Sequence, residues 1–158
     1  MAERHKVVPA VFLVFENPQG EVLLQLRQNT GYADGYWSIP SGHFEPNEHV
    51  LKVAQREAKE ELDVTMEEQD MHFIALHHIR RTDGLDGMNF YFKITKWQGT
   101  PSNAEPAKCG GVQWFSKTKL PENIFPELAE VLGSHPPHRC LSGKFQPRLG
   151  TTPTEQKV

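Results

Sequence analysis

The chain has 158 residues, 37% of them hydrophobic and 23% charged, with a formal net charge of −3. That length suits one domain with a substantial core, and the lack of basic excess makes the chain a poor candidate for tracking along a nucleic-acid backbone. An acidic chain can still act on anionic nucleotides when cations neutralise the phosphates locally.

The first element expected is a strand over Val7–Phe15, a continuous apolar run suited to cover on both faces. The run is too short to cross a bilayer and has no small-residue cleavage site, so neither export nor a membrane is expected. Asn17-Pro18-Gln19-Gly20 reads as a turn and Glu21–Arg27 as the returning strand. Residues 28–35 have loop composition, 36–39 form a short extended segment, and Pro40 and Pro46 bracket another loop. Asn47 stands where an N-cap belongs, with Glu48 in the first turn of a helix running to about Asp63. Two strands follow over 72–79 and 89–96, separated by Asp83-Gly84 and Asp86-Gly87. A short strand over 111–115 and a helix over 121–132 complete a domain spanning 1–133. Residues 134–158 are polar and Pro-rich, and they are expected to be irregular or partly disordered. Two cysteines, Cys109 and Cys140, lack the spacing of a disulfide framework and fit a reducing cytoplasmic setting.

The helix after Pro46 departs from simple amphipathicity. Val50, Leu51, Val53, Ala54, Ala58 and Leu62 share one broad side, but Glu57 and Glu61 project from within that side and Glu60 lies at its margin. Three carboxylates there repel one another, and partial burial raises the cost of ionising them. Arg56 lies near Glu60 on the wheel and roughly 100° or more from the other two, so it neutralises only part of the trio. The pattern is compatible with a salt-bridged structural cluster and with a bound divalent cation.

Gly42, Glu48 and the run Arg56-Glu57-Ala58-Lys59-Glu60-Glu61-Leu62-Asp63-Val64 resemble the Nudix box, with every charged position at the right spacing. Ala58 is a small version of the usual aliphatic residue, and Asp63 replaces the usual Gly at a left-handed helix cap, a conformation Asp tolerates. The segment Glu105-Pro106-Ala107-Lys108-Cys109 and the following Val112-Gln113-Trp114-Phe115 also look like a Nudix subgroup with members acting on nucleoside triphosphates. The resemblance implies an α/β class, an α/β/α sandwich around a central mixed β-sheet, and pyrophosphohydrolase activity on a nucleoside triphosphate or nucleoside diphosphate derivative.

By the same resemblance Glu57, Glu60, Glu61 and the Ser41 carbonyl would hold Mg²⁺ or Mn²⁺. Arg56 would orient the carboxylates, and Gly42 and Glu48 would support the loop–helix junction. Glu57 is the first choice for the general base and Glu105 the second. Arg27 resembles an Arg that holds substrate phosphate, although a surface Arg closing a hairpin is equally compatible. Tyr32, Tyr36 and Trp37 offer rings to a base, with one of them expected in the core; Tyr36 is placed with Arg27 beside the substrate.

The other marked residues have plainer readings. His135, His138 and Cys140 fall short of a zinc site, and Cys109 reads as a buried small residue. The 77–81 stretch, ending in Arg80 and Arg81, reads as a strand end with solvated charges rather than a phosphate contact. A nucleotide sugar, ADP-ribose or dinucleotide is the alternative substrate, and a nucleotide-binding module without catalysis is the alternative class. Partners other than a small phosphate ester are not expected, apart from a second copy, since the resemblance allows a homodimer.

Overall fold

The structure, a computed structural model, describes residues 4–81 and 83–133, and the backbone of 139–144. Its elements in chain order are β1 (Val7–Phe15), β2 (Glu21–Arg27), β3 (Trp37–Ser38), β4 (Ser41–His43), α1 (Val50–Leu62), β5 (Met71–Arg80), β6 (Asp86–Ile94), β7 (Cys109–Ser116), α2 (Pro126–Leu132) and β8 (Arg139–Lys144). Five strands form a mixed sheet in the order β4-β1-β6-β5-β8, and β3-β2-β7 form a smaller antiparallel sheet. β1 lies between β4, antiparallel, and β6, parallel over all nine residues, and its continuous apolarity follows from having a core on each face.

Alternation along β1 and β2 builds two cores. Val11, Leu13 and Phe15 point with Leu23 toward α1, where they meet Val53, Ala54, Ala58 and Leu62. On the other face Val14, Val22 and Leu24 pack with Tyr91, Phe125, Leu128 and Leu132. The two helices therefore cover opposite faces, which gives the mixed α/β arrangement expected.

Several boundaries differ from expectation. Asn47 is not the N-cap of α1. It takes φ 68°, the helix begins at Val50, and His49 is the cap residue. Glu48 consequently lies outside the first turn. The second helix begins at Pro126 rather than 121, because residues 121–125 run as a turn whose Phe125 N–H bonds the Trp37 carbonyl. Part of the segment expected to be irregular is regular: β8 pairs in parallel with β5 from Ala75↔Arg139 to Arg80↔Lys144. His135 and His138 lie outside the described residues. Asp63 does adopt the left-handed cap, at φ 56° and ψ 34°, with its N–H directed to the Ala58 and Lys59 carbonyls.

Candidate active site

The acidic face of α1 abuts β4 and β2. Glu61 Oε2 accepts hydrogen bonds from the Ser41 backbone N–H and from Gln25 Nε2, each at 2.9 Å. Burial pushes the Glu61 carboxyl up to about 8; the Ser41 and Gln25 donors oppose the rise, and the nearby charges of Glu57 and Glu105 add to it. Glu57 is 8% exposed. Its carboxylate lies directly over Gly42, so that a Cβ added at position 42 would overlap it. Burial raises the Glu57 pKa, Arg56 opposes that rise, and Glu60 and Glu105 reinforce it. Two buried carboxylates thus stand together with too little cationic charge around them.

Arg56 reaches further than the helical wheel suggests. Its Nη1 contacts Glu57 at 2.6 Å and Glu60 at 3.2 Å, so it pairs with a member of the trio placed out of its range. The same guanidinium bonds Glu48 through Nε and Nη2, at 2.8 and 2.9 Å, and donates to the His43 carbonyl at 2.9 Å. Glu48 is held down at about 2 by Arg56 and by the Glu45 N–H. Arg56 therefore ties the loop after β4 to the helix. Glu60 points outward, its side chain 52% exposed.

Glu105 belongs to the loop before β7, which lies along the end of α1 through Ser102 N–H to Leu62 O and Ala104 N–H to Glu61 O. It pairs with Lys108 at 3.1 Å and is close enough to raise the pKa of both Glu57 and Glu61. Ser41, Gly42, Glu57, Glu61 and Glu105 are thus brought to one place from three segments, β4, α1 and the loop before β7.

The donors fit a hard divalent ion in kind, being carboxylate and carbonyl oxygens with surplus negative charge. Among the described residues, no three His, Cys, Asp or Glu side chains stand as a ready ligand set. Glu57 and Glu60 turn to Arg56 instead.

A cavity of about 460 Å³ opens on the other side of β4. Ser41, Gly42 and His43 form one wall, and Phe12, Tyr32 and Phe125 supply rings. Arg27 lines it too, with Nε donating to the Tyr32 carbonyl at 3.0 Å and Nη2 to Thr30 Oγ1 at 3.0 Å. Its guanidinium sits 5.7 Å from the Tyr32 ring centroid and 5.9 Å from that of Phe125. Tyr36 is not among the lining residues and packs against Phe125, with centroids 5.9 Å apart. Arg81, read from sequence as a solvated strand end, lines the cavity; its Nη1 is 3.4 Å from His43 Nε2. Cys109 is buried, as expected.

Gln25, Asn89, Phe125 and Glu127 were missed by sequence reasoning. Gln25 has a signal: it is polar, in phase with Leu23 on the face of β2 that meets α1. The other three become neighbours only through the pairing of β1 with β6 and the docking of α2.

An acid-bearing helix thus stands against a mixed sheet, with a ring-lined cavity beside it. The NUDIX domain family profile matches residues 6–133, and the chain belongs to the Nudix family. It is 28% identical over 120 residues to the "8-oxo-dGDP phosphatase NUDT18" of Homo sapiens, covering 75% of this chain and 35% of that protein. It is 29% identical over 84 residues to "Phosphatase NudJ" of Escherichia coli K12, covering 53% of this chain and 54% of that protein. The chain therefore spans between about a third and about half of the length of these curated relatives. Similar solved folds include a MutT NUDIX hydrolase from Burkholderia pseudomallei, with TM-score 0.73 and 20% identity, covering 81% of this chain and 97% of that one. The E. coli ORF135 protein follows, with TM-score 0.67 and 22% identity, covering 81% and 87%.

Proposed function

We propose that the chain is a divalent-metal-dependent pyrophosphohydrolase that cleaves a diphosphate linkage in a nucleoside triphosphate or nucleoside diphosphate derivative. The observation that carries this reading is the buried Glu57–Glu61 pair, which lacks enough cationic charge and stands across β4 from a ring-lined cavity. The name of the human relative supports a nucleoside diphosphate type of substrate.

Glu57, Glu60, Glu61 and the Ser41 carbonyl would hold Mg²⁺ or Mn²⁺. When bound, such ions neutralise phosphate oxygens and lower the pKa of a coordinated water. The chain's own residues supply the rest. Glu57, raised in pKa by burial, is suited to accept a proton from the attacking water, with Glu105 as the second choice. Arg56 orients the acids while tying Glu48 to the helix. Arg27 and Arg81 give the cavity positive character toward phosphate, His43 beside Arg81 is held toward its neutral form by burial and that charge, and the rings take the apolar part of the ligand. Tyr36 acts behind Phe125, as support for the binding wall.

Among the described residues no helix is long and apolar enough to cross a membrane. A cytoplasmic setting, action on small molecules rather than duplex nucleic acid, and a homodimer remain part of the proposal.

The deciding experiment incubates the protein with Mg²⁺ or Mn²⁺ and a panel of nucleoside triphosphates, nucleotide sugars, ADP-ribose and dinucleotides, and measures phosphate, pyrophosphate or AMP release. Hydrolysis that falls by orders of magnitude in Glu57→Gln, with an unchanged circular dichroism spectrum, is expected. Binding of a ligand with no product after prolonged incubation would instead mark a sensor.

A further inference from the structure

Of the three acids on α1, two meet a full positive charge and one does not. Glu57 and Glu60 both pair with the Arg56 guanidinium, whereas Glu61 makes no ion pair among the described residues. Glu61 meets two neutral donors instead, both on a single oxygen. The Ser41 backbone N–H and the Gln25 side-chain amide each reach Oε2 at 2.9 Å, and no donor among the described residues bonds Oε1.

Gln25 makes its bond from a rigid place. It lies in β2, the central strand of the three-stranded sheet, in register with Ser38 of β3 on one side and Val112 of β7 on the other. It is 8% exposed and shares its face of β2 with Leu23, which belongs to the core under α1. An apolar residue would suit such a position. A Gln there carries a desolvation cost, which its hydrogen bond to Glu61 offsets.

The kind of donor matters for the charge that remains. A Lys or Arg at position 25 would also hold Glu61, but its charge would cancel that of the carboxylate and compete with a cation. A Leu or Met would remove one of the two donors and leave the carboxylate freer to turn. A neutral amide fixes Oε2 and leaves the acid its charge.

Resting on the metal-dependent reading of this helix, we infer that Gln25 is a positioning residue for the cation: together with the Ser41 N–H it pins Glu61 Oε2, so that Oε1 is kept, with its charge uncancelled, for a divalent ion. The amide nitrogen acts through Glu61, because an N–H donor offers a cation no lone pair. Such outer hydrogen bonds raise affinity because a ligand already ordered loses little conformational entropy when the ion arrives.

The test is calorimetric titration with Mn²⁺, without substrate, of wild type, Gln25→Met and Gln25→Lys after dialysis against EDTA. Melting curves in EDTA check folding. Gln25→Met keeps the length and loses the donor, and it should bind Mn²⁺ about 10- to 100-fold more weakly, the range for removing an outer hydrogen bond to a metal ligand. Gln25→Lys keeps a donor and adds a charge; it should weaken Mn²⁺ further while melting no lower than Gln25→Met. A part in packing alone would lower the melting temperature and leave Mn²⁺ affinity unmoved. One measurement needs no variant and stands even if both substitutions harm folding: substoichiometric Mn²⁺ should broaden the Gln25 side-chain amide signals in the wild-type NMR spectrum. Wild-type affinity in either folded variant, or bound Mn²⁺ that leaves those signals sharp, would overturn this assignment alone. Wild type that binds no Mn²⁺ would overturn it together with the metal-dependent reading. Mn²⁺ binding that weakens in both variants, in a protein that hydrolyses none of the panel, would sustain the assignment while removing the proposed activity.

Discussion

Glu61→Gln in the metal-free protein separates an acid retained for structure from one retained for a ligand. In the fold the Glu61 carboxyl is raised from an ordinary 4.5 to about 8, chiefly by burial. A carboxyl whose folded pKa exceeds its unfolded one binds an extra proton in the native state between those values. Stability is therefore greatest below about pH 4.5 with respect to this group, and it declines as pH climbs toward 8. At about 1.4 kcal/mol per unit, the span sets a ceiling of about 5 kcal/mol on that decline. Glutamine keeps an oxygen for the Ser41 N–H and cannot ionise. The variant should match wild type near pH 5 and exceed it at pH 8 by a few kcal/mol, or roughly 5–10 °C in Tm for a domain of this size. The assay is thermal unfolding in EDTA, followed by circular dichroism from pH 5 to pH 8.5. Adding Mn²⁺ should raise the wild-type Tm at pH 8 and leave the variant nearly unmoved. A variant less stable than wild type by the same amount at both pH values would refute the reasoning, since Glu61 would then act through contacts rather than charge.

Two other substitutions probe the same helix. Gly42→Ala suits the backbone, yet its Cβ would displace the Glu57 carboxylate, so a Tm within a few degrees of wild type and a loss of turnover of about 100-fold or more are expected; steady-state kinetics beside a melting curve check both. Asp63→Gly restores the residue type that tolerates the left-handed cap and should stabilise by roughly 0.5–1 kcal/mol in urea unfolding, with kcat unchanged.

How much was legible in the sequence depends on how local the signal is. The acids of α1 could be read because a helix repeats every 3.6 residues, which exposes Glu57 and Glu61 as intruders on an apolar side. The β1 strand could be read because one of its faces packs toward α1 and the other toward α2, which leaves no polar positions near its centre. Arg56 was misjudged because wheel angles describe where Cβ departs, not how far a guanidinium extends; Glu57 lies within its reach. Asn47 has cap chemistry but takes a positive φ in a loop shaped by the Glu45–Glu48 and Arg56–His43 bonds. Arg81 looked solvated because nothing in its own strand shows that His43 of β4 will stand beside it. Asn89 and Glu127 were hidden for the same reason, since the cavity they line joins β6 to α2. In β8, six residues of low strand propensity become ordered by the open edge of β5.

The two bonds that hold Glu61 come from residues 20 and 36 positions earlier in the chain. Neither donor reaches it until the β2 and β4 strands and the α1 helix have all found their places. A partly assembled chain would own every acid and still lack the geometry, so recovery of turnover during refolding should lag the recovery of helical signal. Long-range closure of this kind makes the reaction itself a late clock for folding.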